Sequence, residues 1–113
     1  MHNFKELKVW GKAMVVVENT YAISKELPNA ERFTSISQVT RSALSIPSNI
    51  AEGAGRDSDK DFKRFLNIAV GSSYELETQL ILIEKIFKIE TKDLIKQVTE
   101  VQSMLFSLTK SLK

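Results

Sequence analysis

The stretch TKDLIKQVTEVQSMLFSLTKSL, residues 91–112, decides the fold. Six of its apolar residues recur at alternating steps of four and three. They are Leu94, Val98, Val101, Leu105, Leu108 and Leu112. This spacing places all of them on one face of an α-helix, in the heptad pattern of packed helices. The pattern predicts a helix that Thr91 caps and that presents an apolar seam to its neighbours.

Residues 58–87 repeat this alternation over a longer stretch. Ser58 is the predicted N-cap, in a Ser-Asp-Lys-Asp sequence that is close to a capping box. The predicted core face of this third helix comprises Phe62, Phe65, Ala69, Ser73, Leu76, Leu80, Ile83 and Phe87. Because glycine costs a helix about 1 kcal/mol relative to alanine, the small residues at 71–73 predict a close approach of another helix.

Two helical segments come earlier in the chain. The first spans residues 4–27 and ends before Pro28, since the residue before a proline disfavours helical backbone. Asn29 is the predicted N-cap of the second, which Gly53 and Gly55 terminate. Its helical face comprises Ile36, Thr40, Ala43, Pro47, Ile50 and Ala54.

Pro47 interrupts the second segment without shifting its period. Either the helix kinks there or two helices meet, and the unchanged phase favours a kink. Ser45 and Ser48 are expected to satisfy the backbone groups that the proline frees. Only four glycines and two prolines punctuate the chain. We therefore predict an all-α protein: residues 1–113 form a single antiparallel up-down-up-down four-helix bundle, kinked at Pro47.

The composition excludes several kinds of chemistry. A chain of 113 residues with 42% hydrophobic residues suits one globular domain. The absence of cysteine excludes disulfides, thiolate zinc sites and cysteine nucleophiles. His2 is the only histidine, which nearly excludes a histidine triad or a multi-histidine metal site. We expect no catalytic residues, no cofactor, no metal and no small-molecule substrate.

The charge and the hydropathy pattern indicate a cytoplasmic protein. The net charge of +2 is a weak signal for nucleic-acid binding, so any basic surface must arise from folding or assembly. The first residues contain no apolar signal region. The longest apolar run, residues 80–83, is far shorter than the roughly 20 residues of a membrane span.

The first and third segments carry more apolar surface than one bundle face needs. One stripe of the first comprises Phe4, Leu7, Trp10, Met14, Val17 and Tyr21. A second stripe beside it comprises Val9, Val16, Ile23 and Leu27. The second stripe of the third segment comprises Ile68, Leu82 and Ile86. Either the core face is wide and a few residues stay exposed, or a homo-oligomer of closed symmetry buries the surplus.

Polar residues between positions 41 and 56 depart from the amphipathic pattern. The polar residues are Arg41, Ser45, Ser48, Asn49 and Glu52, and the last four lie at helical spacing along one flank of the second helix. They either satisfy the broken backbone and bond to neighbouring helices or subunits, or they line a ligand or nucleic-acid surface. Glu75 or Glu52 is expected to pair with Arg41, because the Glu-x-x-His motifs of a di-metal bundle are absent. Ser45 has no histidine base for catalysis.

Two groups of basic residues are candidates for phosphate contacts. The first, around the turn into the third helix, comprises Arg56, Lys60, Lys63 and Arg64. The second, on the first helix, comprises Lys5, Lys8 and Lys12. The alternative for both is a solvated charged face, because acidic residues alternate with the first group. Trp10 lies on an apolar stripe, which favours core packing over stacking on bases.

The string SIPSNIAEG at residues 45–53 is the most specific in the chain, with Gln38 and Arg41 before it and Arg56 after it. Together with Val9-Trp10 and the segments 62–72 and 75–80, it makes the chain resemble the 23S rRNA intervening-sequence protein family. The resemblance implies an antiparallel four-helix bundle that assembles as a homopentameric ring. A related member, the accessory variability determinant of diversity-generating retroelements, is a basic pentamer that works with a reverse transcriptase and its template RNA. No family motif identifies catalytic residues.

These observations predict a non-enzymatic, ring-forming bundle that binds structured RNA, or a ribonucleoprotein partner such as a reverse transcriptase, through backbone electrostatics. The expected RNA contacts are Arg56, Lys60, Lys63 and Arg64, followed by Lys8 and Lys12. Residues assigned to structure and assembly are Arg41, Ser45, Pro47, Asn49, Glu52, Gly53 and Glu75. The alternative is a protein-binding scaffold with no nucleic-acid role.

Overall fold

The computed structural model describes all 113 residues and contains four α-helices and no strands. They are α1 (Lys8–Ser24), α2 (Ser37–Ala54), α3 (Asp59–Phe87) and α4 (Lys92–Ser111). Helices α1 and α3 each pack against both α2 and α4, and one apolar core draws residues from all four helices. The prediction of an all-α four-helix bundle is confirmed.

Side-chain pairs show that α2 and α3 run in opposite directions, and that α1 and α4 do so too. In each pair of helices, a higher residue number on one helix meets a lower number on the other. The pairs are Ser42 with Glu75 and Ser45 with Ser72 between α2 and α3, and Asn19 with Gln97 and Lys12 with Glu100 between α1 and α4.

The core face of α1 differs from the predicted one. Met14 and Tyr21 are 39% and 45% exposed, although they belong to the stripe with the more regular spacing. The buried residues of α1 are Val9, Ala13, Val16, Thr20 and Ser24. Small side chains at three of these positions let the neighbouring helices come close, and the two hydroxyls donate to backbone carbonyls four residues earlier. The sequence period alone did not distinguish this face from the adjacent one.

The chain enters α1 through a short 3₁₀ turn, Phe4–Glu6, which the Asn3 side chain caps. The observed helix is therefore shorter than the predicted one at residues 4–27, because α1 begins at Lys8. Trp10 is half-buried at the edge of the core, where its ring meets the Phe4 ring edge-on with centroids 5.2 Å apart. It packs as an apolar residue.

The connection between α1 and α2 is more elaborate than a simple capped start. Asn29–Glu31 form a 3₁₀ turn and Arg32–Ile36 form a π-helical turn, so Asn29 does not cap α2, which begins at Ser37. The Glu31 carboxylate accepts hydrogen bonds from the hydroxyls of Ser35 and Thr34 at 2.7 and 2.9 Å. Both bonds lower the pKa of the Glu31 carboxyl, and the bond from Ser35 has the larger effect.

Helix α2 continues through the buried Pro47 and ends at Ala54. Proline removes one N–H from the hydrogen-bond ladder and crowds the preceding turn. The Asn49 side chain, two residues after Pro47, donates to the Ser45 carbonyl at 2.8 Å. Ser48 is exposed and makes no side-chain hydrogen bond, so Asn49 holds the backbone near the proline. The angle of a kink at Pro47 stays a prediction.

Replacing Pro47 with alanine should straighten α2 and disturb assembly more than it changes helix content. Alanine restores the missing N–H and is the best helix former, so the local helix loses nothing. A straighter helix would shift the outward flank of α2 against any partner. Circular dichroism should stay within about 5% of the wild type while light scattering reports a lower oligomer mass; an unchanged mass would contradict the prediction.

The start and core face of α3 agree with the sequence pattern. Ser58 accepts a hydrogen bond from the Asp61 N–H at 3.1 Å, as expected of an N-cap. Seven of the eight predicted core residues are buried, and Phe87 is half-buried. Gly71 is exposed with no neighbour near its missing Cβ. The close approach predicted at residues 71–73 therefore lies at Ser72 and Ser73 and does not involve the glycine.

The corner between α3 and α4 is held by Thr91. Its hydroxyl lies 3.2 Å from the Leu80 carbonyl and 2.9 Å from the Glu84 carboxylate, so it bonds back to α3 rather than capping α4. The Thr91 N–H also donates to Glu84. The bonds from the Thr91 N–H and hydroxyl both lower the pKa of the Glu84 carboxyl, and the bond from the N–H has the larger effect. Beyond the corner, the apolar seam of α4 is buried at Leu94, Val98, Val101 and Leu105.

Candidate functional site

The outward flanks of α2 and α3 form one continuous surface, which we call the α2–α3 face. From α2 it takes Gln38, Arg41, Ser45, Asn49 and Glu52. From α3 it takes Ile68, Ser72, Glu75, Gln79, Leu82 and Ile86. Steps of three and four keep each set on one side of its helix, and side-chain bonds join the two sets. This face brings together most of the polar residues that the sequence assigned to assembly.

A small polar network fixes α2 to α3 at the middle of this face. The hydroxyls of Ser45 and Ser72 are 2.8 Å apart. The Asn49 side-chain amide donates to both the carbonyl and the hydroxyl of Ser45, at 2.8 and 2.9 Å. Ser45 and Asn49 therefore hold the two helices together within one chain. Ser72, their partner on α3, was missed because a serine in a small-residue stretch resembles a packing residue.

A polar cleft of about 430 Å³ opens beside this network, lined by Gln38, Arg41, Ser42, Ser45, Glu75 and Gln79. The predicted salt bridge of Arg41 is absent. The Arg41 guanidinium reaches only the Ser37 hydroxyl, at 3.5 Å, while Glu75 accepts a bond from Ser42 at 3.1 Å. Glu52 pairs with Arg56 instead, at 2.8 Å, because the two lie four residues apart at the end of α2.

Gln79 adds an unsatisfied group to this cleft. Its side-chain oxygen Oε1 is buried and accepts no hydrogen bond from the protein. A buried acceptor without a donor costs about 1–3 kcal/mol, so native proteins rarely leave one. Nothing in the sequence marked this residue beyond its place on the flank of α3.

One end of the α2–α3 face is apolar. Leu82 and Ile86 are 48% and 64% exposed, and Phe33 on the preceding π-helical turn is 84% exposed. Ile68, further along α3, is also exposed. The second stripe predicted for this helix therefore lies outside the core of the protomer. An exposed apolar row next to polar groups is typical of a surface that meets another protein.

Two arginines lie beyond the other end of the face, around the turn into α3. The Arg56 and Arg64 guanidinium carbons lie 4.8 and 4.5 Å from the centroid of the Phe65 ring, in cation–π contact. Each also pairs with an acid, Arg56 with Glu52 and Arg64 with Asp61 at 3.4 Å. Stacking on Phe65 holds both guanidinium groups in place, and the carboxylates offset part of their charge.

The other predicted RNA contacts do not join this pair. Lys63 turns toward α4, where its amine lies 3.4 Å from the Lys113 carbonyl, and Lys60 is exposed without an acidic partner. Lys12 pairs with Glu100 at 3.1 Å, and Lys8 is exposed. Within the first predicted group, Lys63 therefore has a different neighbour from Arg56 and Arg64, and the second group lies apart on α1.

Pro47 and Gly53 lie away from the α2–α3 face, inside the bundle. Gly53 is within α2 and does not stop it. A Cβ atom at this position would lie 2.7 Å from the Phe65 Cβ and 2.9 Å from Phe62 Cδ1. The glycine therefore lets α3 pack directly against the backbone of α2, a role that its place near the helix end concealed.

Two further features bear on function. No group of three or more His, Asp or Glu side chains is arranged to hold a metal ion. None of the four helices combines the length and the hydropathy that crossing a membrane requires.

Comparison with known proteins identifies the family of the chain. Residues 5–107 match the model of the 23S rRNA-intervening sequence protein family. A crystal structure of a protein of unknown function from the S23 ribosomal protein family of Bacteroides thetaiotaomicron superposes with a TM-score of 0.83 at 29% identity, covering 90% of this chain and 98% of that chain. No protein with curated annotation matches. The chain belongs to the 23S rRNA-intervening sequence protein family.

Proposed function

We propose that this protein is a non-enzymatic bundle that assembles into a closed ring, of five copies as the family resemblance implies, and binds structured RNA on the assembled surface. The observation that carries the proposal is the α2–α3 face. It leaves Ile68, Leu82 and Ile86 uncovered in a protomer whose core is otherwise complete. Closed symmetric assembly is the usual way in which a folded chain covers such a face.

RNA is the favoured partner for two reasons. The family takes its name from sequences that interrupt 23S rRNA genes, and the superposing crystal structure carries the name of a ribosomal protein family. The protein also holds Arg56 and Arg64 stacked on one ring, with Lys60 exposed in the same turn region. Arginine forks held in this way suit phosphate oxygens.

The low net charge sets the expected strength of binding. Each copy contributes only +2, so a ring of five remains weakly basic. Phosphate contacts release counterions, and the affinity should fall steeply as the salt concentration rises. We expect binding that is clear at about 50 mM salt and weak at about 200 mM salt.

Light scattering with a pool of structured RNAs tests both parts of the proposal. The protein alone should have the mass of a closed oligomer, and RNA should co-elute with it at low salt only. A variant that combines Arg56→Gln, Lys60→Gln and Arg64→Gln should lose at least about tenfold in affinity, because each lost phosphate contact weakens binding. The matched control combines Lys85→Gln, Lys88→Gln and Lys96→Gln. Its affinity for RNA should be closer to that of the wild type than the affinity of the first variant is. An oligomer that ignores RNA at both salt concentrations would contradict the RNA role.

A protein-binding scaffold is the second candidate, and the exposed Phe33 favours it. This side chain is 84% exposed, the most of any large apolar side chain in the protomer. Docking through such a surface depends little on salt, whereas phosphate binding depends on it strongly. Partner capture that persists at about 200 mM salt and disappears in Phe33→Ser would favour this function.

A further inference from the structure

We propose that Arg41 of one copy forms an ion pair with Glu75 of a second copy, and that this pair sets how the copies align. The inference rests on the proposed self-assembly and names the contact at its centre. It concerns the polar cleft of the α2–α3 face, where both residues lie.

Neither charge is neutralised within its own chain. Arg41 forms no salt bridge, and its only side-chain contact is the 3.5 Å approach to the Ser37 hydroxyl. Glu75 accepts one bond from a neutral donor, Ser42, at 3.1 Å. Both side chains are exposed. By contrast, Arg56 and Arg64, beyond the end of this face, already have acidic partners. The cleft therefore offers one free cation and one free anion to whatever covers it, a pattern that is complementary to itself.

The two charges also lie at the same height along the bundle. The bonds from Ser42 to Glu75 and from Ser45 to Ser72 fix the register of α2 against α3, so Arg41 is level with Glu75. A rotation axis parallel to the helices keeps every residue at its own height. Where α2 of one copy adjoins α3 of the next, such an axis brings Arg41 to the other copy's Glu75. An axis that crosses the helices at this height would instead set Arg41 against a second Arg41.

The surroundings of the cleft suit a pair that is shielded from water. Ile68 and Leu82 each lie seven residues from Glu75 along α3, one on either side, and both are exposed in the protomer. A second copy that covers these apolar side chains would exclude water around the charges between them.

Charge reversal tests the pair, with light scattering and sedimentation as readouts. Arg41→Glu and Glu75→Arg alone should each raise the dissociation constant of the oligomer at least about 30-fold, because each places two like charges in the contact. Mixing the two variants should restore association between unlike chains. The two substituted side chains then meet with opposite charges at one contact, and the unchanged Arg41 meets the unchanged Glu75 at the next. No effect confined to one chain produces this recovery.

The double variant, with Arg41→Glu and Glu75→Arg in the same chain, extends the test to a ring with an odd number of copies. Two kinds of chain cannot alternate around such a ring without one mismatched contact. The double variant has opposite charges at every contact, so it should recover the oligomer mass of the wild type. A double variant that remains as dissociated as the single variants would contradict the pair.

Matched controls reverse charges elsewhere on the bundle. Lys96→Glu on α4 and Glu18→Arg on α1 change an exposed charge outside the α2–α3 face and should leave the oligomer mass unchanged. Circular dichroism shows whether each variant folds. If a reversal unfolds the chain, the neutral variants Arg41→Gln and Glu75→Gln take its place and should each weaken assembly at least about tenfold.

The outcomes separate this inference from the function on which it rests. Single variants that assemble like the wild type, or a double variant that stays dissociated, would overturn the Arg41–Glu75 pair while leaving self-assembly intact. A wild-type protein that is monomeric at every concentration tested would overturn self-assembly itself. Recovery in the mixture supports the pair.

Discussion

Replacing Gly53 with valine should lower the melting temperature of the protein by more than about 10 °C, because it overpacks the closest helix–helix contact. Even the first added carbon would lie 2.7 Å from the Phe65 Cβ, 2.9 Å from Phe62 Cδ1 and 3.3 Å from the Phe62 carbonyl oxygen. Two of these atoms belong to or adjoin the backbone, so they cannot move without shifting α3. Phe62 and Phe65 are themselves buried, which leaves them little room.

Gly71→Ala is the matched control for this substitution. A Cβ at position 71 meets nothing within 4 Å, and the residue is exposed in the middle of α3. Alanine should therefore stabilise the protein by up to about 1 kcal/mol through helix propensity alone. Thermal unfolding followed by circular dichroism compares the two variants. A Gly53→Val variant that melts within about 2 °C of the wild type would show that the α2–α3 contact is looser than the structure indicates.

Truncating Leu76 to alanine should destabilise the protein by about 2–5 kcal/mol, because it empties part of a fully buried site. Leu76 is 0% exposed and lies near the middle of the longest helix, so neighbouring side chains on all sides lose contacts. Urea unfolding measures the loss as a lower transition midpoint with an unchanged slope.

Leu82→Ala removes the same atoms from the same helix at a position that is 48% exposed. In the monomeric protein it should change the free energy of unfolding by less than about 0.5 kcal/mol. Because Leu82 belongs to the α2–α3 face, the same variant should weaken assembly. Equal losses of stability at Leu76 and Leu82 under monomeric conditions would contradict the division between core and face.

The regular spacing of apolar residues predicted the helices well and the buried faces unevenly. The seam of α4 is buried at Leu94, Val98, Val101 and Leu105, because only one apolar stripe exists on that helix. Helix α1 has two stripes, and in the one with Met14 the residues Met14 and Tyr21 are exposed while the others pack at the edge of the core. Which stripe is buried depends on how closely the neighbouring helices approach, and the spacing of apolar residues along the sequence does not give that distance.

The sequence predicted which residues belong to the candidate site but not which of their side chains contact one another. Arg41 was expected to pair with Glu75 or Glu52 within one chain, yet neighbouring positions in the fold do not guarantee that side chains meet. Lys63 and Arg64 were expected to act together, but successive helical residues point about 100° apart, and the two turn to different neighbours. Side-chain direction, which only the packed structure provides, decides both cases.

The buried core of the single protomer has a kinetic consequence. Since each chain has a complete apolar interior, its folding does not wait for a partner. In the assembly proposed above, association is then a second step, and the fraction of assembled protein follows the concentration of the chain.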